Sequence, residues 1–239
     1  MGIFQNNLLA GAGGQSGAVA DFYDYQIEQS CRWDESPDQL QITSFGQAPT
    51  SQYKGSFSCW VKLVNTAENG IFTCGNAGGD GELNLRFNVD GTCRYNLYSG
   101  SAQVGTLTTT QVFRDFNAWM HVMVTWDTTD STSSNRMKMY INGTQITSFS
   151  TETYPSQNQN AFMFGNSRKH GIGFFVWNGS GHFEGYLAEI HATDGTVYTP
   201  SQFGETKNGV WIPKDPSGTS YGNNGFRSEE RRVGKEGRE

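Results

Sequence analysis

Two stretches of strict alternation constrain this chain more than anything else in it: Trp119 to Asp127, and Met137 to Gly143. In the first, Met120, Val122, Val124 and Trp126 fall on one side and His121 and Thr125 on the other. That is the period of two required by a sheet with one buried face. The second stretch runs into Asn142-Gly143 and then Thr144 to Thr147. A type I′ turn needs positive φ at both central residues, and Asn-Gly tolerates this best, so the spacing predicts a two-residue hairpin. Between the two stretches, Thr128 to Asn135 is Asp, Thr and Ser, and reads as a solvated connection.

The same pattern predicts strands from near Ser30, at Leu40 to Ile42, at Ser56 to Leu63 with Phe57, Cys59, Val61 and Leu63 on one face, and at Gly70 to Cys74. Glu82 to Phe87 and Thr92 to Tyr98 flank an Asp90-Gly91 turn and form a second hairpin. Val104 to Thr109, Phe162 to Gly165, Ile172 to Trp177 and Gly181 to Ala192 complete the set. Many short strands, no helix-period segment and no repeat of blade length point to an all-β, two-sheet antiparallel sandwich of the jelly-roll kind. Thirty glycines, 16 phenylalanines and 6 tryptophans, with 17% charged residues, supply the turns and an aromatic core.

At 239 residues one large domain is expected. Residues 1–27 read as a flexible Gly/Ala-rich leader, 28–205 as the sandwich, and 206–226 as an extended strap. Residues 227–239 switch abruptly to dense charge and resemble the translation of a sequencing adapter, so they are set aside as non-native read-through. The net charge of −6 lacks the clustered Lys and Arg that grip a phosphate backbone, so nucleic acid is not an expected partner. No apolar run suits membrane insertion, and Met1 to Ala20 has neither the charged nor the apolar region of a signal peptide. Cys31, Cys59, Cys74 and Cys93 show no CxxC spacing and are expected as thiols. His121, His170, His182 and His191 form no HExxH-type pair, so no transition metal is assigned.

Three blocks resemble the laminin G-like members of the concanavalin A-like lectin and glucanase superfamily: Ser58 to Lys62; Trp119, His121, Val122, Trp126 and Asp127 with Tyr140, Asn142 and Gly143; and Phe183 to Ile190. A nearer resemblance is to virion-associated proteins of marine tailed phages, carried by Phe4 to Gly11, Thr109 to Asp115, Ser150 to Gln157, and Phe203, Gly204, Glu205, Gly209, Val210, Trp211 and Pro213. The resemblance implies a jelly roll that binds a host surface glycan or a neighbouring virion protein, made without export in the host cytoplasm.

Glucanases on this fold place alternating carboxylates on one strand, at i, i+2 and i+4 or i+5. No such run exists here; Glu184 and Glu189 are five apart, and on a regular strand opposite parity sends them to opposite faces. No enzyme activity is therefore expected, with a glucanase-type hydrolase as the alternative. Related sandwiches hold calcium at the sheet rim, which makes Asp127 and Asp130 possible ligands, although Asx turns explain such residues equally well. The stretch His170 to His182 mixes aromatics with Asn, Ser and Gly, and Phe175, Trp177, Asn178 and His182 are the candidate ligand-binding residues. The competing reading is that Phe175 and Trp177 fill the core.

Overall fold

The computed structural model describes residues 23–34, 38–75, 81–100, 102–116 and 118–228. The first part of the leader, 1–22, the centre of the glycine-rich loop, 76–80, and most of the charged tail, 229–239, lie outside the described residues. The strands are β1 (Cys31–Asp34), β2 (Leu40–Ile42), β3 (Lys54–Leu63), β4 (Asn69–Gly75), β5 (Gly81–Phe87) and β6 (Thr92–Ser99). They continue with β7 (Ala102–Val112), β8 (Met120–Asp127), β9 (Met137–Ile141), β10 (Thr144–Gln145) and β11 (Phe149–Thr153). The last are β12 (Lys169–Ile172), β13 (Glu184–Asp194), β14 (Gly204–Lys207), β15 (Val210–Pro213) and β16 (Phe226–Ser228). Among the described residues no helix is long and apolar enough to cross a membrane.

Two seven-stranded antiparallel sheets make a jelly-roll sandwich. Sheet A has the order β1-β13-β3-β8-β9-β10, with β16 also on β13, and sheet B the order β11-β7-β6-β5-β4-β12-β2. Alternation decides what each face buries. Phe57, Val61, Val122, Val124 and Trp126 of sheet A meet Phe72, Leu85, Tyr95 and Leu107 of sheet B in one core. Phe57 and Phe72 stack across the interface, with centroids 4.3 Å apart and planes 6° from parallel. The predicted hairpin is present between β9 and β10, with φ of 48° at Asn142 and 76° at Gly143. Cys59, Cys74 and Cys93 are buried in the core, and Cys31 is half-buried.

Two expected strands are corrected. Phe162 to Gly165 is a turn, with φ of 52° at Phe162 and 59° at Phe164, and it lets Phe164 sink beside Trp126. Of Ile172 to Trp177, only Ile172 is in a strand, because Gly173 takes φ of 83° and turns the chain away from β12. Periodicity alone also passed over β11, whose Phe149–Thr153 pairs with β7 through an irregular register.

After β13 the chain crosses the outer face of sheet A as the β14–β15 hairpin, then returns past Tyr221 to β16. Trp211 anchors it: a Cβ on Gly143 would lie 2.3 Å from that indole, so only glycine fits beneath it. The return is fixed by Asp194, fully buried, whose carboxylate accepts the backbone N–H groups of Thr50 (2.7 Å), Ser51 (2.9 Å) and Asn224 (3.1 Å).

Candidate functional site on the outer face of sheet B

The two outer faces differ in what lies on them. On sheet A, Ser58, Trp60, His121 and His191 are buried beneath the chain's own strap. Trp211 sits 5.8 Å from His121, and Phe203 stacks 4.8 Å from His191. His121 Nε2 is 2.7 Å from Ser58 Oγ, and burial, with a smaller contribution from His191, pushes its pKa down to about 3. The Ser58–His121 pair thus holds a neutral imidazole within the fold.

Glu189 corrects the parity argument. The register of β13 against β3 slips between Ala188 and His191, and Glu189 takes φ of 47°, so this bulge inserts an extra residue. Glu189 therefore lies on the same outer face as Glu184. Its carboxylate accepts from Tyr25 Oη at 2.7 Å and lies 3.0 Å from His191 Nε2 and 3.1 Å from Arg227 Nη2, while Glu184 accepts from Asn65 Nδ2. Although its burial opposes ionisation, hydrogen bonds from His191 and Tyr25 hold Glu189 at about 2. Beside this cluster a cavity of about 630 Å³ opens between the 23–30 segment and Trp60, Trp119 and Trp211.

Sheet B carries a polar ladder instead. Cross-strand register aligns Thr73, Asn84, Asn96 and Thr106 in one row and Arg86, Arg94 and Thr108 in the next. The alternating Leu83, Leu85, Tyr95, Leu97 and Leu107 point into the core, so these polar side chains point out. Asn84 and Asn96 are nevertheless each 1% exposed. Asn96 is satisfied, accepting from Thr106 Oγ1 at 2.6 Å and donating to Tyr98 Oη at 3.2 Å. The Oδ1 of Asn84 is buried with no partner among the described residues. A buried amide oxygen left unpaired costs about 1–3 kcal/mol, which a hydroxyl arriving from outside would recover.

The segment predicted from sequence forms one wall of this face. Thr73 Oγ1 donates to Phe174 O at 2.8 Å and accepts from Val176 N–H at 3.3 Å, pinning the segment over β4. Of the four candidate residues, Phe175 is the most enclosed. It is 4% exposed, with one neighbour the Trp177 ring, stacked at 5.1 Å, and another the Arg86 guanidinium, 5.5 Å from its centroid. It supports the wall and offers no open face of its own. Trp177 is half-buried at the wall's crest, and Asn178 is exposed. The Asn178 Oδ1 closes the turn by accepting from Ser180 N–H and Oγ. His182 stacks on Phe174 at 6.0 Å, with Nε2 3.0 Å from Gly179 O. Sequence reading missed Asn84, Arg86, Arg94 and Asn96, whose alternation with Leu83, Leu85, Tyr95 and Leu97 was the available signal.

The calcium expectation meets side chains already engaged. Asp127 is 3.1 Å from Lys54 Nζ and accepts from Thr129 N–H and Oγ1, and Asp130 accepts from Thr132 N–H. These contacts are Asx turns and an ion pair. Among the described residues, no group of three or more His, Cys, Asp or Glu converges.

No curated protein matches the chain. Among solved structures, the native heptameric SAP-like pentraxin from Limulus polyphemus superposes with a TM-score of 0.50 at 19% identity, covering 72% of this chain and 77% of that one. Mouse laminin α1 domains LG4-5 give 0.49 at 10% identity over 72% of this chain and 45% of that one. The Ruminococcus gnavus IT-sialidase CBM40 bound to α2,3 sialyllactose gives 0.45 at 14% identity over 70% and 92%. The pentraxin likeness is one of fold. The laminin G model described as concanavalin A-like lectin/glucanases superfamily matches residues 34–204, and the chain belongs to that family.

Proposed function

We propose that this protein is a non-enzymatic glycan-binding module of a tailed-phage particle, tail- or fibre-associated, that contacts host surface polysaccharide through the outer face of sheet B. The observation that carries the reading is the buried Asn84 Oδ1, unpartnered among the described residues, in a row of Asn and Thr side chains on the face whose wall segment also carries the half-buried Trp177. Sugars need this pairing: amides and hydroxyls orient the ring hydroxyls, and an aromatic face takes the apolar C–H side of the ring. Membership of a lectin and glucanase superfamily supports binding of this kind. The row Thr73, Asn84, Asn96 and Thr106 carries amides and hydroxyls where retaining hydrolysis needs two carboxylates about 5 Å apart. The virion assignment rests on the phage-like sequence blocks.

The test is glycan-array and host-cell binding by the whole chain and by Trp177→Ala, with reducing-sugar release measured in parallel. The expected result is binding that Trp177→Ala weakens about tenfold or more, with no sugar released. Binding to no glycan, or equal binding by the variant, overturns the reading and favours an assembly role. Turnover of polysaccharide overturns its non-enzymatic part.

A further inference from the structure

The ladder that sets the asparagines side by side does the same to two arginines. Arg86 on β5 is directly opposite Arg94 on β6, a like-charge pairing that opposes sheet formation. Arg86 is matched within the chain. Its Nη1 lies 3.1 Å from Glu68 Oε1, its Nε donates to Asn88 Oδ1 at 2.9 Å, and its guanidinium covers Phe175. Arg94 is not matched in this way: its Nε donates to Thr108 Oγ1 at 3.1 Å, and its two terminal nitrogens have no hydrogen-bond partner among the described residues. Asp90, at the β5–β6 turn, feels the charge of Arg94, but its carboxylate is committed to Thr92 N–H at 2.9 Å and Thr92 Oγ1 at 2.6 Å. An outward-facing cation with free donors therefore stands diagonally across the strand pair from the unpartnered Asn84 Oδ1.

We infer that the glycan taken by this face is acidic: a sugar carboxylate or sulfate accepts from the terminal nitrogens of Arg94, while a nearby hydroxyl donates to Asn84 Oδ1. Diagonal positions on neighbouring strands are roughly 7 Å apart, a reach that one acidic sugar and its substituent span. The anion also offsets what remains of the like-charge pairing of Arg94 with Arg86. Guanidinium groups suit this task because their planar fork meets a carboxylate or sulfate with paired, charge-assisted hydrogen bonds. With a net charge of −6, the chain has no general attraction for polyanions, so affinity of this kind arises locally.

This inference rests on the proposed glycan-binding role and is tested so that the two separate. The full chain, Arg94→Gln and Arg94→Lys are applied to an array of uronate-, sialate- and sulfate-bearing glycans, each beside its neutral counterpart, with hits titrated calorimetrically. The expected result is at least about a tenfold preference for an acidic member over its neutral counterpart, lost in Arg94→Gln and partly kept in Arg94→Lys. The class of hit distinguishes carboxylate from sulfate. Equal melting temperatures of the three proteins establish that folding is intact. Binding of neutral members alone, or a preference that survives Arg94→Gln, overturns the acidic assignment and leaves glycan binding standing. Binding to no member overturns both.

Discussion

Acidification destabilises this fold through two histidines in particular. His121 and His170 are 0% and 2% exposed, and burial pushes each pKa from the ordinary 6.5 down to about 3. His170 lies between the sheets, stacked on Phe164 at 5.5 Å and edge-on to Phe45 at 4.9 Å, and its Nε2 accepts the Phe164 N–H at 3.0 Å. That bond requires a neutral ring with its proton on Nδ1. A depressed folded pKa means that the unfolded chain takes up the proton first. The stabilisation is therefore complete above about pH 6.5 and is lost as pH falls toward 3. Each pH unit below the unfolded value costs about 1.4 kcal/mol per ring, so at about pH 5 each histidine removes about 2 kcal/mol and the pair about 4 kcal/mol. Urea denaturation between about pH 7.5 and pH 5 measures this directly, comparing the native chain with His121→Gln and His170→Gln. Each variant should lose less stability than the native chain over that interval, by about 2 kcal/mol. Parallel curves for native and variant proteins would refute the assignment of buried neutral rings.

Three further perturbations test the packing. Phe57→Ala removes one partner of the stacked pair that joins the sheets and should cost about 3–5 kcal/mol by chemical denaturation. Asp194→Ala removes the acceptor of three backbone donors, two of them part-buried (Thr50 and Ser51) and one buried (Asn224), and should cost about 2–3 kcal/mol, with hydrogen exchange speeding up first at those three residues. Gly143→Ala puts a methyl group against Trp211 at a φ of 76°, and should lower the melting temperature and raise protease cleavage within the 204–213 hairpin.

Much of this architecture was legible because one-sided burial leaves a period of two in the sequence. Met120 to Trp126, Phe57 to Leu63 and the Asn142-Gly143 turn are legible for that reason. The segments misread were those where tertiary packing overrides local pattern. Phe162 and Phe164 are aromatic residues at positive φ, held in place because Phe164 fills space beside Trp126 and His170. The bulge at Glu189 shifts every parity argument across it, and nothing in Leu187-Ala188-Glu189-Ile190 announces an extra residue. For the site, Phe175 and Trp177 stand out in the sequence because they are aromatics among Gly, Asn and Ser. The ladder of Asn84, Arg86, Arg94 and Asn96 becomes visible only when register brings separate strands together, since each strand alone shows only alternating polar residues.

We propose that glycan meets the outer face of sheet B. Amide and side-chain NMR of the whole chain, titrated with oligosaccharide from a bound polysaccharide, tests it most directly. Shifts are expected at the Asn84 and Asn96 side-chain amides and the Trp177 indole N–H, with Trp60, Trp119 and Trp211 unmoved. Shifts centred instead on Trp60, Trp119 and Trp211 would contradict it, because they would place the ligand in the cavity under the strap on the opposite side of the sandwich.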